Sequence, residues 1–219
     1  MVKNLLNQEI NLEEAELHEL IPEGIDLPAD IPAEIFTLAL QTYLDGRRVD
    51  MRALAADLGI SRRTLYRKVR DRNQLLGEIH WYNSRLLFAE ALAASRELKG
   101  AARVVAVYEA FVKTVSSNSP PLEKALRDEP ENTLRVITTK HGPVHGRVRA
   151  FIERLLQREI ELGHFKTDLP LDALSFAIVR MGESFLYADV LTGEEPDINF
   201  SVEMVSRLLR PDQIRPAKN

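Results

Sequence analysis

The stretch DMRALAADLGISRRTLYRKVRDRNQLL, residues 50–76, leaves few options for the fold around it. Asp50 is placed to cap a short helix whose Leu54, Ala55 and Leu58 face inward. Gly59 follows where the chain must turn sharply, and glycine enters the left-handed backbone region at little cost. Ile60 is set to fill the angle of the turn, and Ser61 to cap a second helix. Leu65 and Val69, four residues apart, hold that helix to a core. Its other face then carries Arg62, Arg63, Tyr66, Arg67 and Arg70, with Thr64 and Lys68 at the edges. Two short helices on a tight turn, the second basic on its outer side, make a helix-turn-helix.

That distribution suits double-stranded DNA. A helix fits the major groove, where a guanidinium can take guanine O6 and N7 as a bidentate pair. Thr64 and Tyr66 offer hydroxyls to phosphate oxygens, which fix register without reading sequence. Arg72 stands at the start of the next helix, where a phosphate also meets free backbone amides. A solvated basic helix surface is the plainer alternative, and it leaves the coincidence of glycine turn, inward leucines and basic face unexplained.

The overall charge of −4 argues against a DNA binder only until it is divided along the chain. Residues 1–30 hold one basic and eight acidic residues, whereas residues 31–70 hold eight basic and four acidic. The remainder is close to neutral, so positive charge is concentrated in one short block, as a DNA-binding module requires. Cysteine is absent, which excludes disulfides and cysteine-ligated metal. The N-terminus lacks the basic-then-apolar order of a signal peptide, and no apolar run approaches the roughly 18 residues of a membrane span. The expected location is cytoplasmic, with no membrane partner.

The chain divides into an acidic N-terminal extension (1–30), a helix-turn-helix domain (31–76) and a helical body (77–219). In the extension, Asn11 with Glu14 is a capping-box signal for a short acidic helix, and Pro22, Gly24, Pro28 and Pro32 then interrupt the chain. A solvated arm and an arm that docks on the protein or a partner are both open; a solvated arm would weaken non-specific DNA binding. Ile35, Leu38, Ala39 and Leu44 predict a first helix, and Asp71 with Gln74 opens a long one with Leu75, Ile79, Tyr82 and Leu86 on one face. Helical spacing recurs at Val104–Val115, 121–128, 132–139, Val148–Leu155, Leu171–Phe185 and Val202–Leu209. Two-residue alternation never persists, so the fold is expected to be all-α.

The helix-turn-helix segment resembles the DNA-binding domain of the TetR family of transcriptional regulators. Leu54, Ala55, Gly59, Ile60, Ser61, Thr64, Leu65, Tyr66, Val69, Arg72 and Leu75 carry the resemblance, with Arg72 where that family usually has lysine. ALAADLGISRRTLYRKVRDRNQLLGEIHW together with IVRMGESFLYADVLTGEEPD is similar to the QsdR-like branch, associated with control of lactone and quorum-signal breakdown genes. The resemblance implies a C-terminal helical domain that binds a small effector and forms a homodimer through its last long helices. Such a protein is a repressor released from a palindromic operator by a small-molecule effector, lactone-like in this branch. Carried over by position, Arg62, Arg63, Tyr66, Arg67 and Lys68 would face base edges, and Arg52, Thr64, Tyr66 and Arg72 backbone phosphates.

In the body, the helix near 171–191 is apolar on more than one side and must be covered on more than one side. Arg180 and Glu183 are its polar exceptions, either an ion pair or a pair that orients a ligand. Trp81, Phe88, Tyr108, Phe111 and Phe151 either line a pocket between helices or form plain core. His141 and His145 are four apart, but Gly142 and Pro143 between them mark a helix start rather than one helical face. No metal, cofactor or catalytic motif is read from the sequence, so the expectation is a regulator and not an enzyme. The alternative is an effector-binding protein or metal-dependent enzyme whose helix-turn-helix is structural.

Overall fold

The computed structural model describes residues 14–117 and 119–210; the Asn11 cap lies outside them. Among the described residues there are twelve helices and no strand, so the fold is all-α. They are α1 (Glu14–Leu20), α2 (Ala33–Leu44), α3 (Met51–Asp57), α4 (Arg62–Val69), α5 (Arg72–Ala94) and α6 (Ala101–Ser117). After these come α7 (Pro120–Asp128), α8 (Pro130–Thr138), α9 (His145–Glu161), α10 (Leu171–Leu186), α11 (Ala188–Leu191) and α12 (Ile198–Leu209). The helix starts follow local rules: prolines open α7 and α8 at their first positions, and Pro143 precedes α9.

Packing groups these helices into two compact units, each drawn from separated stretches of chain. The helix-turn-helix unit is Glu23–Leu86 with Ser119–Val148. It holds α2 to α4, the first two-thirds of α5, α7 and α8, around Phe36, Ala39, Leu65, Val69, Leu75 and Ile79. Tyr82 meets the Phe36 ring edge-on at 5.5 Å. A side chain at Gly77 would collide with Pro143, its Cβ falling 1.7 Å from the ring, so glycine lets the 142–144 turn lie against α5.

Helical spacing predicts one apolar face for α5, but between Leu75 and Leu86 nearly every side chain is buried. Its polar residues are therefore inside, and most have partners. Glu78 takes a forked pair of bonds from Arg147 at 2.7 and 2.8 Å. Ser84 donates to the His80 carbonyl, and Arg85, 2% exposed, donates to the carbonyls of Glu23, Gly24 and Asp26 at 2.8–2.9 Å. Buried polar groups need such partners, because an unpaired one costs roughly 1–3 kcal/mol.

Among the described residues the second unit comprises 14–22, 87–117 and 149–210. In it α6 packs on α10 and α12, and α10 on α12, around Val104, Val107, Leu174, Ile178 and Val205. Residues 14–22 are not a solvated arm. Leu20 and Ile21 are fully buried, the Leu20 carbonyl accepts from Arg154 at 2.9 Å, and Glu16 pairs with Arg103 and Arg158 at 2.9 and 3.2 Å. Glu19 also bonds Arg158. Glu16 and Glu19 of α1 thus answer arginines of their own unit, and the helix docks through its apolar end.

Candidate DNA interface

The helix-turn-helix is assembled from short-range contacts. Asp50 caps α3 by accepting from the amides of Arg52 and Ala53, both at 2.9 Å. These bonds, that of Ala53 foremost, hold its carboxyl below the usual carboxylate range. Gly59 turns at φ +65°, and the amides of Gly59 and Ile60 close the end of α3 on the carbonyls of Ala56 and Ala55. The space around Gly59 is open, so only its backbone conformation calls for glycine. Ser61 then caps α4, accepting from the Thr64 amide at 3.1 Å, and its hydroxyl meets that of Thr64 at 2.9 Å. Leu65 and Val69 are buried at 0% and 1% exposure, while Leu58 and Ile60 are half-buried.

With its inner face fixed, α4 has only one way to present the rest. Arg62, Arg63, Tyr66, Arg67, Lys68 and Arg70 are exposed, and so is Arg52 on α3. Among the described residues none of these side chains has a hydrogen bond or ion pair. Arg70 ends the helix at φ +61°, the one non-glycine described residue in that region. Thr64 is half-buried with its hydroxyl turned to Ser61.

Arg72 differs from the others. It is half-buried, donates from Nε to the Val49 carbonyl at 2.7 Å, and bonds Glu129 at 2.5 Å. The same carboxylate accepts from Arg48 Nε at 2.6 Å. Burial pushes Glu129 upward, but the bonds from Arg48 and Arg72 outweigh it and hold the carboxyl below its ordinary range. Glu129 sits between α7 and α8, 57 residues beyond Arg72, and no local pattern announces it. Asp71 caps α5 through the Gln74 amide at 2.8 Å, but the Gln74 side chain turns to Glu78 instead of completing a capping box.

The residues read as ligand-binding fall in both units. In the second unit Phe88 stacks on Phe111 and Phe151, with ring centroids 4.4 and 4.0 Å apart, and the Tyr108 hydroxyl bonds Ser201. Arg180 bonds Glu183 at 2.6 Å on α10. Trp81 belongs to the helix-turn-helix unit, buried at 1% exposure with the Arg147 guanidinium 5.9 Å from its ring. His145 begins α9, and His141 lies in the turn before it. Among the described residues no three His, Asp or Glu side chains gather as a metal site.

Comparison with known proteins agrees with this architecture. Residues 99–210 match the model of a tetracyclin repressor-like C-terminal domain. The chain belongs to the TetR family of transcriptional regulators. It is similar in fold to the structure of the R. erythropolis transcriptional repressor QsdR from the TetR family, with a TM-score of 0.75 and 24% identity. That likeness covers 88% of this chain and 100% of the other. No curated protein matches the chain.

Proposed function

We propose that this chain is a homodimeric, ligand-responsive repressor that reads a palindromic operator with α4. The observation that carries the reading is the exposed face of α4, whose arginines and lysine have no side-chain hydrogen bond or ion pair within the described residues. Arg62, Arg63, Tyr66, Arg67 and Lys68 would reach base edges, while Arg52, Thr64, Tyr66 and Arg72 would hold phosphates. Residues 31–76 supply DNA binding in this reading, and residues 77–219 supply effector binding and dimerisation.

A second copy is the natural cover for α10 and α12, where Phe176, Phe200 and Met204 are 48%, 47% and 39% exposed. Twofold symmetry would set two copies of α4 roughly 34–36 Å apart, one turn of duplex. A small effector, lactone-like by resemblance to the QsdR branch, would favour a conformer with another spacing, and both half-sites could no longer be met. Among the described residues no helix is long and apolar enough to cross a membrane.

The test is a mobility-shift titration of purified dimer on the DNA upstream of its own gene and of neighbouring operons. A specific, salt-sensitive complex is expected. A dimer that binds none of these segments better than random duplex would overturn the reading.

A further inference from the structure

The ring of His80, on α5 of the helix-turn-helix unit, lacks the hydrogen bonds that the side chains of Glu78 and Ser84 make on the same helix. His80 is 9% exposed, its ring lies edge-on to Tyr43 at 5.1 Å, and among the described residues no hydrogen bond reaches its ring nitrogens. Burial lowers its pKa to about 4, so at neutral pH the imidazole is uncharged and offers one donor and one acceptor. Its backbone carbonyl serves Ser84; the ring serves nothing.

His80 and Tyr43 both line a cleft that is open to solvent. Val49, Leu76, Pro121, Ala125 and Val136 supply apolar wall. At the rim stand Arg48 and Arg72, two guanidinium groups that share the single carboxylate of Glu129. The other rim charges are matched among themselves: Arg47 with Asp45 at 3.1 Å and Lys124 with Asp128 at 2.7 Å. Asp50, outside the lining, forms a longer ion pair with Arg48 at 3.7 Å. The residues that line the cleft therefore combine an apolar wall, an imidazole without a hydrogen bond, and the four cations Arg47, Arg48, Arg72 and Lys124 against the two carboxylates of Asp128 and Glu129.

We infer that this cleft is a binding site for a small hydroxycarboxylate, its carboxylate held by Arg48 and Arg72 beside or in place of Glu129, and its hydroxyl bonded to His80. The apolar part of the ligand lies against Leu76, Val49 and Val136. Charge-assisted bonds to two guanidiniums are the strongest contacts such a ligand can gain, which makes the carboxylate the determining group. Arg72 belongs both to the cleft and to the residues set to meet DNA phosphate, so occupancy is sensed at the start of the helix that follows α4. The inference rests on the regulator reading for that consequence alone.

The experiment uses the full-length dimer with histidine rings labelled for NMR, His80 being assigned by its loss in His80→Asn. The probes are 3-hydroxybenzoate, 4-hydroxybenzoate and 6-hydroxyhexanoate, with 4-hydroxybenzamide as the neutral counterpart. At least one acid should move the His80 resonances saturably below about 10 mM, and the amide should bind roughly tenfold more weakly or worse. Glu129→Gln should tighten the acid about fivefold, since it leaves Arg72 without a carboxylate and Arg48 with only Asp50 at 3.7 Å, and Arg48→Ala should weaken it about tenfold. A silent His80 with all three acids, or an amide that binds as well as its acid, overturns the site; that comparison needs no variant. Operator binding of the same preparation, measured without ligand, separates the two readings. Retained operator binding with a silent His80 rejects the cleft alone, whereas a His80 response without operator binding rejects the regulator.

Discussion

On α4, Arg62, Arg63, Arg67 and Arg70 point outward with no side-chain hydrogen bond or ion pair among the described residues. In the second unit, arginines of the same chemistry are bound from several directions. Arg103 is 6% exposed between Glu16 at 2.9 Å and Glu159 at 3.3 Å, and Arg158 faces Glu16 and Glu19. Glu159 is itself 1% exposed, accepting from the Gly100 amide at 2.6 Å and meeting His164 at 3.2 Å. The difference lies in desolvation. A guanidinium withdrawn from water must find carboxylates, and once it has them it stiffens the fold. One that stays in water on a rigid helix keeps its charge available to an anion from outside.

The largest effect should come from removing the carboxylate at the centre of the buried set. Glu159→Ala leaves Arg103 short of an acceptor and the Gly100 amide without one, and unfolding stability should fall by about 3–5 kcal/mol. Urea denaturation followed by circular dichroism reads this directly. The operator affinity of the folded protein should change by less than about twofold, since Glu159 belongs to the other unit and shares no partner with α4. A loss below about 1 kcal/mol would place Glu159 with surface ion pairs and erase the contrast.

The next effect belongs to a buried group that carries no charge. His80 has a folded pKa of about 4, below the value of about 6.5 expected in the unfolded chain. Its contribution is therefore complete above about pH 6.5 and is lost as pH falls from there towards 4, a change of about 3 kcal/mol. His80→Asn should flatten the stability profile in that window relative to the parent. Parallel profiles between pH 4.5 and 7.5 would mean that the imidazole is not held neutral, and that burial does not separate this unit's interior from its surface.

Much of this contrast is invisible in the amino-acid order, for a physical reason. The helix-turn-helix is legible because its determinants are local: Asp50 and Ser61 cap amides within three residues, Gly59 turns alone, and Leu65 and Val69 sit one turn apart. The helices of the second unit are legible through their apolar spacing. The charge pairs are not, because Arg72 meets Glu129 across 57 residues and Arg103 meets Glu159 across 56. The same distance hides the docking of α1, whose acidic run reads as solvated until Leu20 and Ile21 are seen buried. Phe88, Phe111 and Phe151 are readable as inward-facing aromatics, yet spacing tells neither that three separate helices bring them together nor a stack from a cavity wall.

Single arginines of α4 come next in size. Arg62→Ala or Arg63→Ala should cost about 1–3 kcal/mol in operator binding and much less on random duplex, because a base edge is lost. Arg52→Ala should weaken both DNAs alike and reduce the slope of log affinity against log salt by about 0.9, as one phosphate contact does. Fluorescence anisotropy at several salt concentrations distinguishes the two. None of the three should shift the melting temperature, because none has an intramolecular bond to lose. A drop of more than about 1 kcal/mol with Arg62→Ala would show that its charge is engaged beyond the weak pull it exerts on Asp50.

The smallest effect lies at the boundary between the two uses of polarity, at Ser61. Its hydroxyl accepts from the Thr64 amide at 3.1 Å, so Ser61→Ala should cost about 1 kcal/mol of stability and loosen the turn that carries Arg62 and Arg63. Operator affinity should then fall through lost preorganisation, without a change in salt slope. Ser61→Asp keeps a cap and adds a charge that the helix N-terminus favours, so stability should hold or rise slightly. That same charge faces the phosphates, and it should weaken DNA binding more than alanine does, most clearly at low salt. Stability and DNA affinity should therefore rank the two variants in opposite order. The same ranking in both would mean that the start of α4 is not turned toward the duplex, and the free arginines beside it would need another partner.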